Sequence, residues 1–362
     1  KIRQSGSAEL RTQRLRRQAG GAYHYIIYMM GPKASLLAVF VAYALLCARA
    51  FQVPKHLSSL IMKRSSSSLV MKSDLLTSME QAMKERGIEV DLETGGSGFG
   101  GGGGAAVGNV VDKATGTRYF TKSTGLQGYN MLNAEYEGLR AMAETNTIKV
   151  PTPIAKGTSA NNAFAIFEYL NFGGGGSMKQ MAEDLAAMHR CTSPDGRYGF
   201  HIDNTCGATP QDNTWEATWA DFYARRRLDH ILKLSERDGA HFPNRQELLD
   251  KVKAILQDHD APPSLVHGDL WSGNKGFADG RPVIFDPATY YGDREVDLAM
   301  SYLFGNFGGE FYAAYEAAYP LEPGFEQRKT VYNLYHILNH FVLFGGGYLG
   351  QAQGMIDRIL RF

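Results

Sequence analysis

The sequence predicts an α+β protein with two lobes, in which a small lobe built on an antiparallel sheet precedes a larger, mostly helical lobe. Before residue 170, short segments of strand-like composition are separated by glycine-containing turns. Beyond residue 177, apolar residues recur at helical spacing, as in MKQMAEDLAAMHR and NRQELLDKVKAILQDH. With 362 residues, 44% of them hydrophobic, the chain can bury a core in each lobe. We place the small lobe at 73–170 and the helical lobe at 171–362.

The small lobe is predicted to contain two helices, a β-hairpin and a buried strand. Residues 74–86 and 130–145 have apolar positions at helical spacing. In DKATGTRYFTK the Thr-Gly pair indicates a turn between two strands, of which the second is expected to end at Lys122. A short strand is expected in IEVDL at 88–92, and a buried one in FAIFEYL at 164–170.

A glycine-rich segment, GGSGFGGGGGAAVGNV, precedes the hairpin. Such a loop between strands can cover nucleotide phosphates, because glycine lets the backbone approach a ligand closely. Runs of glycine are also common in flexible linkers, and that alternative stays open. The glycines that we assign to a phosphate-covering loop are Gly98, Gly100, Gly101 and Gly102.

Residues 1–72 have the composition of a targeting leader. Lys33 precedes the apolar run SLLAVFVAYALLC, and Ala-Arg-Ala follows as a cleavage site, which is the pattern of a signal peptide at about 30–50. Phe51 opens a Ser-rich, basic segment, 51–72, of transit-peptide composition. Together they resemble the bipartite plastid leader of algae with complex plastids. The alternatives are the secretory pathway, a mitochondrion, or an uncleaved leader that anchors the chain in a membrane.

The charge distribution argues against nucleic acid as a partner. Of 38 Lys and Arg and 37 Asp and Glu, residues 1–72 hold 12 basic residues and a single acidic one, Glu9. The leader therefore carries +11 and the rest −10, and this acidic body has no Lys/Arg-rich run that would bind a phosphate backbone. The three cysteines, Cys47, Cys191 and Cys206, show neither a disulfide framework nor zinc-site spacing.

The segment SLVHGDLWSGNKGFADGRPVIFDPA has the spacing of a kinase catalytic loop followed by a metal-binding aspartate. Phosphoryl transfer needs a carboxylate that accepts the proton of the attacking hydroxyl, and Asp269 is the candidate base. Mg²⁺ prefers oxygen ligands, which Asn274 and Asp286 supply from either side of a hairpin predicted at Asp279-Gly280. Taken singly, these side chains have structural explanations, such as bracing the loop or capping turns.

The same pattern implies ATP as the phosphoryl donor, with its contacts on the small lobe. Lys122 is the candidate for the α- and β-phosphates, held by an ion pair with a glutamate of the next helix. Glu135 and Glu137 face different ways, and we assign the pair to Glu135 and a solvated position to Glu137. Glu168 and Leu170, before a glycine-rich connection that resembles a hinge, are further nucleotide candidates.

Three features go beyond the general kinase pattern: HGDLWSGN with a later DPA, AEYEGLRAM followed by VPTP, and YGFHIDNTCGATPQDNTW with FYARRRL after it. They resemble the fructosamine/ketosamine-3-kinase family, whose fold is protein-kinase-like and similar to that of aminoglycoside phosphotransferases. The likeness runs from about residue 74 to the C-terminus. It implies ATP- and Mg²⁺-dependent phosphorylation of the 3-hydroxyl of a ketosamine. The ketosamine would be a ribulosamine, erythrulosamine or fructosamine adduct of a small amine or a protein lysine, and the reaction a step of deglycation repair.

The resemblance also implies roles for further residues. Trp271 is a mark of this family and is expected to contact the substrate, with packing against the helical lobe as the alternative. His267 and Asp293 are further substrate candidates, and Asp297 is expected to orient the catalytic loop. The block GFHIDNTCGATPQDNTW suits either a loop over the substrate or a purely structural loop. The protein is expected to be a monomer or a weak dimer.

Two other functions are compatible with the motifs. Aminoglycoside and choline kinases share HxDxxxxN and the later aspartate, so another small-molecule hydroxyl is an alternative acceptor. A non-catalytic nucleotide-binding protein is the second alternative. It is disfavoured because a pseudokinase normally lacks at least one of Lys122, Asp269, Asn274 and Asp286, and all four are present.

Overall fold

The smaller lobe is built on a five-stranded antiparallel sheet in the computed structural model, which describes residues 74–95, 105–259 and 261–362. The predicted leader lies outside these residues. The strand order is β1-β2-β3-β5-β4. The strands are Leu92–Thr94 (β1), Ala106–Asp112 (β2), Arg118–Gly125 (β3), Pro153–Thr158 (β4) and Asn162–Glu168 (β5).

Strand β5 is buried on both faces, which makes it the centre of this lobe. Phe164 and Ile166 share a cluster with the two buried methionines of helix α1 (74–84). The alternate residues of the strand, such as Phe167, pack on the opposite face with helix α2 (Tyr129–Glu144). The period of two along a strand therefore places one helix on each face of the sheet.

Two strand ends differ from the sequence prediction. β1 begins only at Leu92, because the N–H of Ile88 still closes the end of α1 by donating to the carbonyl of Met83 at 3.0 Å. β3 continues past Lys122 to Gly125, since its last residues remain paired with β5. Lys122 therefore lies within a strand whose backbone is fixed on both sides.

The larger lobe is mostly helical, as the periodicity predicts. A π-helical segment, Tyr223–Asp229, joins α4 to α5. The helices are Met178–His189 (α3), Trp219–Phe222 (α4), His230–Arg237 (α5), Arg245–Gln257 (α6), Glu295–Ser301 (α7), Gly309–Ala318 (α8), Phe325–Phe344 (α9) and Tyr348–Leu360 (α10). In this part of the chain, as in the rest that the structure describes, no helix is long and apolar enough to cross a membrane.

Short strand pairs in the larger lobe support the loops that face the sheet. Their turns are fixed by backbone hydrogen bonds, and the β9–β10 hairpin turns at Asp279-Gly280 as the sequence predicts. The pairs are Asn204–Cys206 (β6) with Thr209–Gln211 (β7), Ser264–Val266 (β8) with Tyr290–Gly292 (β11), and Lys275–Ala278 (β9) with Arg281–Ile284 (β10).

Helix α9 forms the centre of the larger lobe. Its Leu334, Ile337 and Leu338 are fully buried in a cluster that also contains residues of α5, α6 and α10. The loops between the short strands are thus anchored on a closely packed body, so their functional side chains are held in place. The protein has an α+β bilobal fold.

Candidate active site

A cavity of about 590 Å³ lies between the sheet and the helical lobe. Ala105 and Val107 line its upper wall, directly after the four predicted loop glycines, which lie outside the described residues. The cavity brings together most of the residues that the sequence singles out. Of these, its wall contains Lys122, Glu135, Glu168, Leu170, Asp269, Trp271, Asn274 and Asp286.

Lys122 connects the two lobes across this cavity. Its Nζ lies 2.7 Å from Oε1 of Glu135 on α2 and 2.8 Å from Oδ1 of Asp286 in the larger lobe. Burial disfavours the ammonium, but the two carboxylates outweigh that effect and raise the pKa of Lys122. Lys122 is therefore a fixed positive charge that projects into the cavity.

The two glutamates of α2 separate as predicted, but Glu137 is not a solvated charge. Its side chain is as buried as that of Glu135, at 15% and 14% exposure. Arg140 lies 2.7 Å away, and Lys156 of β4 also bonds to Glu137. The expectation of a free surface charge is wrong because β4 brings a lysine to this face of the helix.

The catalytic loop is held from behind by Asp297, the buried third residue of α7. Its Oδ2 accepts the backbone N–H of His267 at 2.7 Å, and its Oδ1 accepts that of Gly268 at 2.8 Å. His189 of α3 lies 3.1 Å from the same carboxylate. Burial alone would raise the pKa of Asp297, but these donors lower it, so the carboxylate stays charged.

Asp269 lies at the floor of the cavity, beside the amide of Asn274. The Asn274 Nδ2 donates to the carbonyl of Asp269 at 2.9 Å and to its Oδ2 at 3.3 Å. Burial raises the pKa of Asp269 to about 7. A carboxylate with that pKa accepts a proton readily near neutral pH, which suits a general base.

Asn274 and Asp286 meet because the β9–β10 hairpin folds the chain back on itself. The N–H of Phe285 donates to the carbonyl of Asn274 at 3.0 Å. Since Nδ2 of Asn274 is used for the bonds to Asp269, its Oδ1 is the atom free to bind a metal. Asp286 has a left-handed backbone, with φ of 56°, and a half-exposed carboxylate. Such a conformation costs about 1 kcal/mol or more in a non-glycine residue, and functional sites are among the places where it recurs.

Two substrate candidates do not reach the cavity wall. His267 is fully buried, its Nε2 donates to the carbonyl of Phe285 at 2.9 Å, and its Nδ1 accepts the N–H of Asp269 at 3.2 Å. Asp293 is 2% exposed and accepts from the Tyr332 hydroxyl at 2.5 Å and from His259 at 3.0 Å. The assignment of both to the substrate is corrected: they brace the loop and the helical core.

The cavity wall also includes residues that the sequence placed only in an ambiguous loop. Asn204, Thr205 and Gly207, around the β6–β7 turn, line the cavity together with Trp271. The Trp271 ring also covers the backbone of Gly273, where a Cβ would lie 2.3 Å from the ring. The aromatic ring thus packs against its own loop while one part faces the cavity.

A sheet lobe with a Lys–Glu pair, a helical lobe with Asp269 in a catalytic loop, and oxygen ligands across a hairpin define a bilobal phosphotransferase of the protein-kinase-like fold. Within that class, residues 99–362 match the fructosamine kinase family model. The chain belongs to the fructosamine kinase family.

Its relatives agree with this placement. A Synechocystis protein assigned as a ketoamine kinase is 51% identical over 247 residues, which are 67% of this chain and 83% of the relative. The chloroplastic protein-ribulosamine 3-kinase of Oryza sativa subsp. indica is 43% identical over 67% of this chain and 72% of its own length. A crystal structure assigned to a fructosamine-3-kinase from Haemophilus somnus 129PT superimposes with a TM-score of 0.70 at 30% identity, over 78% of this chain and 96% of that one.

The burial of Asp269 predicts that Asp269→Asn stabilises the ligand-free protein. The carboxyl has a pKa of about 7 when folded and about 3.9 when unfolded. Its ionisation therefore opposes folding most strongly above pH 7. The penalty declines as the pH falls from 7 towards 4 and vanishes below about 3, where the carboxyl is protonated in both states. We expect Asp269→Asn to raise the free energy of unfolding at pH 8 by on the order of 1–4 kcal/mol.

Urea unfolding of both proteins at pH 8, 6 and 4 measures this difference. The gain is expected to shrink at pH 6 and to be close to zero at pH 4. A variant that is no more stable than the parent at pH 8 would show that Asp269 is not a desolvated carboxylate.

Proposed function

We propose that this protein is an ATP-dependent ketosamine 3-kinase, which phosphorylates the 3-hydroxyl of ribulosamine, erythrulosamine or fructosamine adducts. The observation that carries the proposal is the convergence of Lys122, Asp269, Asn274 and Asp286 on one cavity in a chain of the fructosamine kinase family. The relatives that are named ketoamine and ribulosamine kinases support the acceptor class.

The nucleotide side of the site is formed by the sheet lobe. Lys122 has the charge and position to bind the α- and β-phosphates, and its pair with Glu135 fixes the ammonium. At the hinge, the Glu168 carboxylate is already bonded to Lys149 at 2.5 Å and to the Thr152 hydroxyl at 2.6 Å. Glu168 therefore positions the hinge. The nucleotide base would instead bind to the backbone around Leu170, which lines the cavity.

The side chains of Asn274 and Asp286 have the kind of donor atoms that Mg²⁺ prefers. An amide oxygen from Asn274 and a carboxylate from Asp286 are hard ligands, and two such ligands leave room for water and phosphate oxygens. A bound Mg²⁺ neutralises charge on the transferred phosphate. Asp286 is half exposed and contacts Lys122, so it is accessible from the cavity.

The chemical step uses Asp269 as the base. The substrate hydroxyl oxygen forms a bond to the γ-phosphorus of ATP, the bond from that phosphorus to the bridging oxygen of ADP breaks, and the hydroxyl proton passes to the Asp269 carboxylate. Asn274 holds that carboxylate by its amide hydrogen. Trp271, Asn204 and Thr205 offer one apolar surface and several polar groups, which suits a polyol chain attached to an amine.

The role of Glu135 can be separated from that of Glu137 by matched substitutions. Both carboxylates lie on α2, are similarly buried and pair with a lysine, but only Glu135 contacts Lys122. Glu135→Gln is expected to lower kcat/KM for ATP by at least about tenfold, because Lys122 loses the charged partner that positions it. Glu137→Gln is expected to change it less than about threefold. Equal effects of the two variants would contradict the assignment.

The acceptor is tested by ADP release with Mg·ATP and a panel of ribulose-lysine, fructose-lysine, choline and kanamycin. We expect turnover on a ketosamine, and loss of that turnover in Asp269→Asn. Turnover only on choline or kanamycin would move the function to another small-molecule hydroxyl, and full activity of the variant would exclude Asp269 as the base. ATP binding with no turnover on any acceptor would favour a non-catalytic protein.

We also propose a plastid location, with a leader at 1–72, a nucleotide lobe at 73–170 and a catalytic lobe at 171–362. The composition of 1–72 supports the leader, and relatives from Oryza sativa and Arabidopsis thaliana are named chloroplastic. A fusion of 1–72 to a fluorescent protein, expressed in an alga with complex plastids, should enter the plastid. Retention in the secretory pathway or import into mitochondria would contradict this.

A further inference from the structure

Three side chains with metal-binding atoms, one of them the proposed base, meet at the catalytic loop. Cys206 comes from β6, Asp269 from the catalytic loop and His336 from α9. The Cys206 sulfur, a carboxylate oxygen of Asp269 and a ring nitrogen of His336 all lie within 4.8 Å of one another. The three residues are far apart in the sequence, so no spacing motif predicts the cluster.

The imidazole in this cluster has an unsatisfied nitrogen. His336 is 4% exposed, and within the described parts of the chain its Nδ1 has no hydrogen-bond partner. Buried polar atoms are nearly always bonded, so an orphaned ring nitrogen suggests a ligand that it would bind. The mechanism proposed above makes no use of His336.

The Cys206 thiol already contacts the carboxylate of this cluster, since it donates a hydrogen bond to Asp269. Cys206 is an unpaired cysteine, 1% exposed. The Asn339 Nδ2 lies 3.3 Å from its sulfur and points a donor at it. Burial and the nearby Asp269 raise the pKa of the Cys206 thiol, so a metal ion would displace the thiol proton when it binds.

One thiolate, one imidazole and one carboxylate are a ligand set for Zn²⁺ and related thiophilic ions, and a poor one for Mg²⁺. Tetrahedral zinc with bonds of about 2.0–2.3 Å needs its ligand atoms roughly 3.3–3.8 Å apart. Since the three atoms lie within 4.8 Å of one another, they would have to close in by no more than about 1.5 Å, which side-chain rotation can supply. The fourth position would then face the cavity.

We propose that Cys206, Asp269 and His336 form an inhibitory site for Zn²⁺ or a similar thiophilic divalent ion, separate from the oxygen ligands Asn274 and Asp286. Binding forms bonds from the metal to sulfur, nitrogen and oxygen and releases the thiol proton to solvent. An Asp269 carboxylate bound to the metal cannot accept the proton of a substrate hydroxyl. The inhibitory consequence, though not the metal site, rests on the proposed role of Asp269.

The ion would enter from the substrate side. Asp269 lines the cavity, as do Thr205 and Gly207 on either side of Cys206, whereas Lys122 and Glu135 lie on the opposite wall. Zinc should therefore compete with the hydroxyl substrate and leave ATP binding unchanged.

The first test is spectroscopic and needs no enzyme activity. The full chain carrying Cys47→Ser and Cys191→Ser retains Cys206 as its sole thiol and is titrated with Co²⁺, a coloured substitute for zinc. We expect a thiolate-to-cobalt charge-transfer band that saturates at one ion per chain and is abolished by adding Zn²⁺. Absence of the band would overturn the proposal.

The second test compares variants in the same background. Zinc affinity, measured by competition with a chromogenic chelator, should fall at least about tenfold in Cys206→Ala and in His336→Gln. His241→Gln, which alters an exposed histidine outside the cluster, is the control and should bind zinc at the cluster as before. An unchanged zinc affinity in Cys206→Ala would refute the site.

Activity then separates this inference from the proposed function. If the protein phosphorylates a ketosamine, micromolar zinc should inhibit it competitively with the ketosamine, and Cys206→Ala should resist. If no ketosamine is phosphorylated, the proposed function fails while the cobalt band still tests the metal site. Competitive inhibition by zinc that persists at full strength in Cys206→Ala would overturn the inhibitory role of this cluster.

Discussion

The arrangement of the site depends on one buried carboxylate, Asp297. It accepts two consecutive backbone N–H groups, from His267 and Gly268, and a third bond joins it to His189 of α3. A buried charge without partners would cost several kcal/mol, so the three donors and the carboxylate must fold together. Because α7 and α3 are packed in the core, the loop takes its position from the rigid part of the lobe.

A chain of hydrogen bonds connects Asp297 to the side chains proposed to take part in the reaction. His267 contacts both neighbouring segments. One ring nitrogen accepts the N–H of Asp269, and the other donates to the carbonyl of Phe285, next to Asp286. Asp286 then reaches Lys122 of the other lobe at 2.8 Å. The Lys122–Asp286 contact is half exposed and contributes little stability, whereas the Lys122–Glu135 pair is buried and fixes the lysine. The lobes share a buried apolar cluster elsewhere, but at the point where a nucleotide would bind the contact between them is weak.

Sequence reasoning located the residues whose roles follow from local spacing. The interval from Asp269 to Asn274, and the hairpin before Asp286, place three side chains together because a short loop and a tight turn leave few alternatives. Helical geometry sends residues two apart to different faces, so only one of Glu135 and Glu137 was expected to contact Lys122. The structure shows that it is Glu135, the residue that was preferred.

What escaped prediction depends on tertiary packing. The burial of Asp293 reflects its contacts with Tyr332 of α9 and with His259, which follows the end of α6. The pairing of Glu137 with Lys156 requires β4 to lie beside α2, and the approach of Cys206 to His336 requires β6 to lie against α9. No interval in the sequence encodes these contacts. They arise from how distant elements pack within each lobe.

The most direct test of this account is Asp297→Asn, which keeps the size of the side chain but removes the charge that holds the loop. Steady-state turnover and ATP binding should be measured on the same folded preparation. We expect kcat to fall by about 100-fold, because a small displacement of Asp269 is enough for such a loss, while the affinity for ATP changes by less than about threefold. A variant with near-normal kcat would show that the loop keeps its shape without Asp297, and would contradict the central claim.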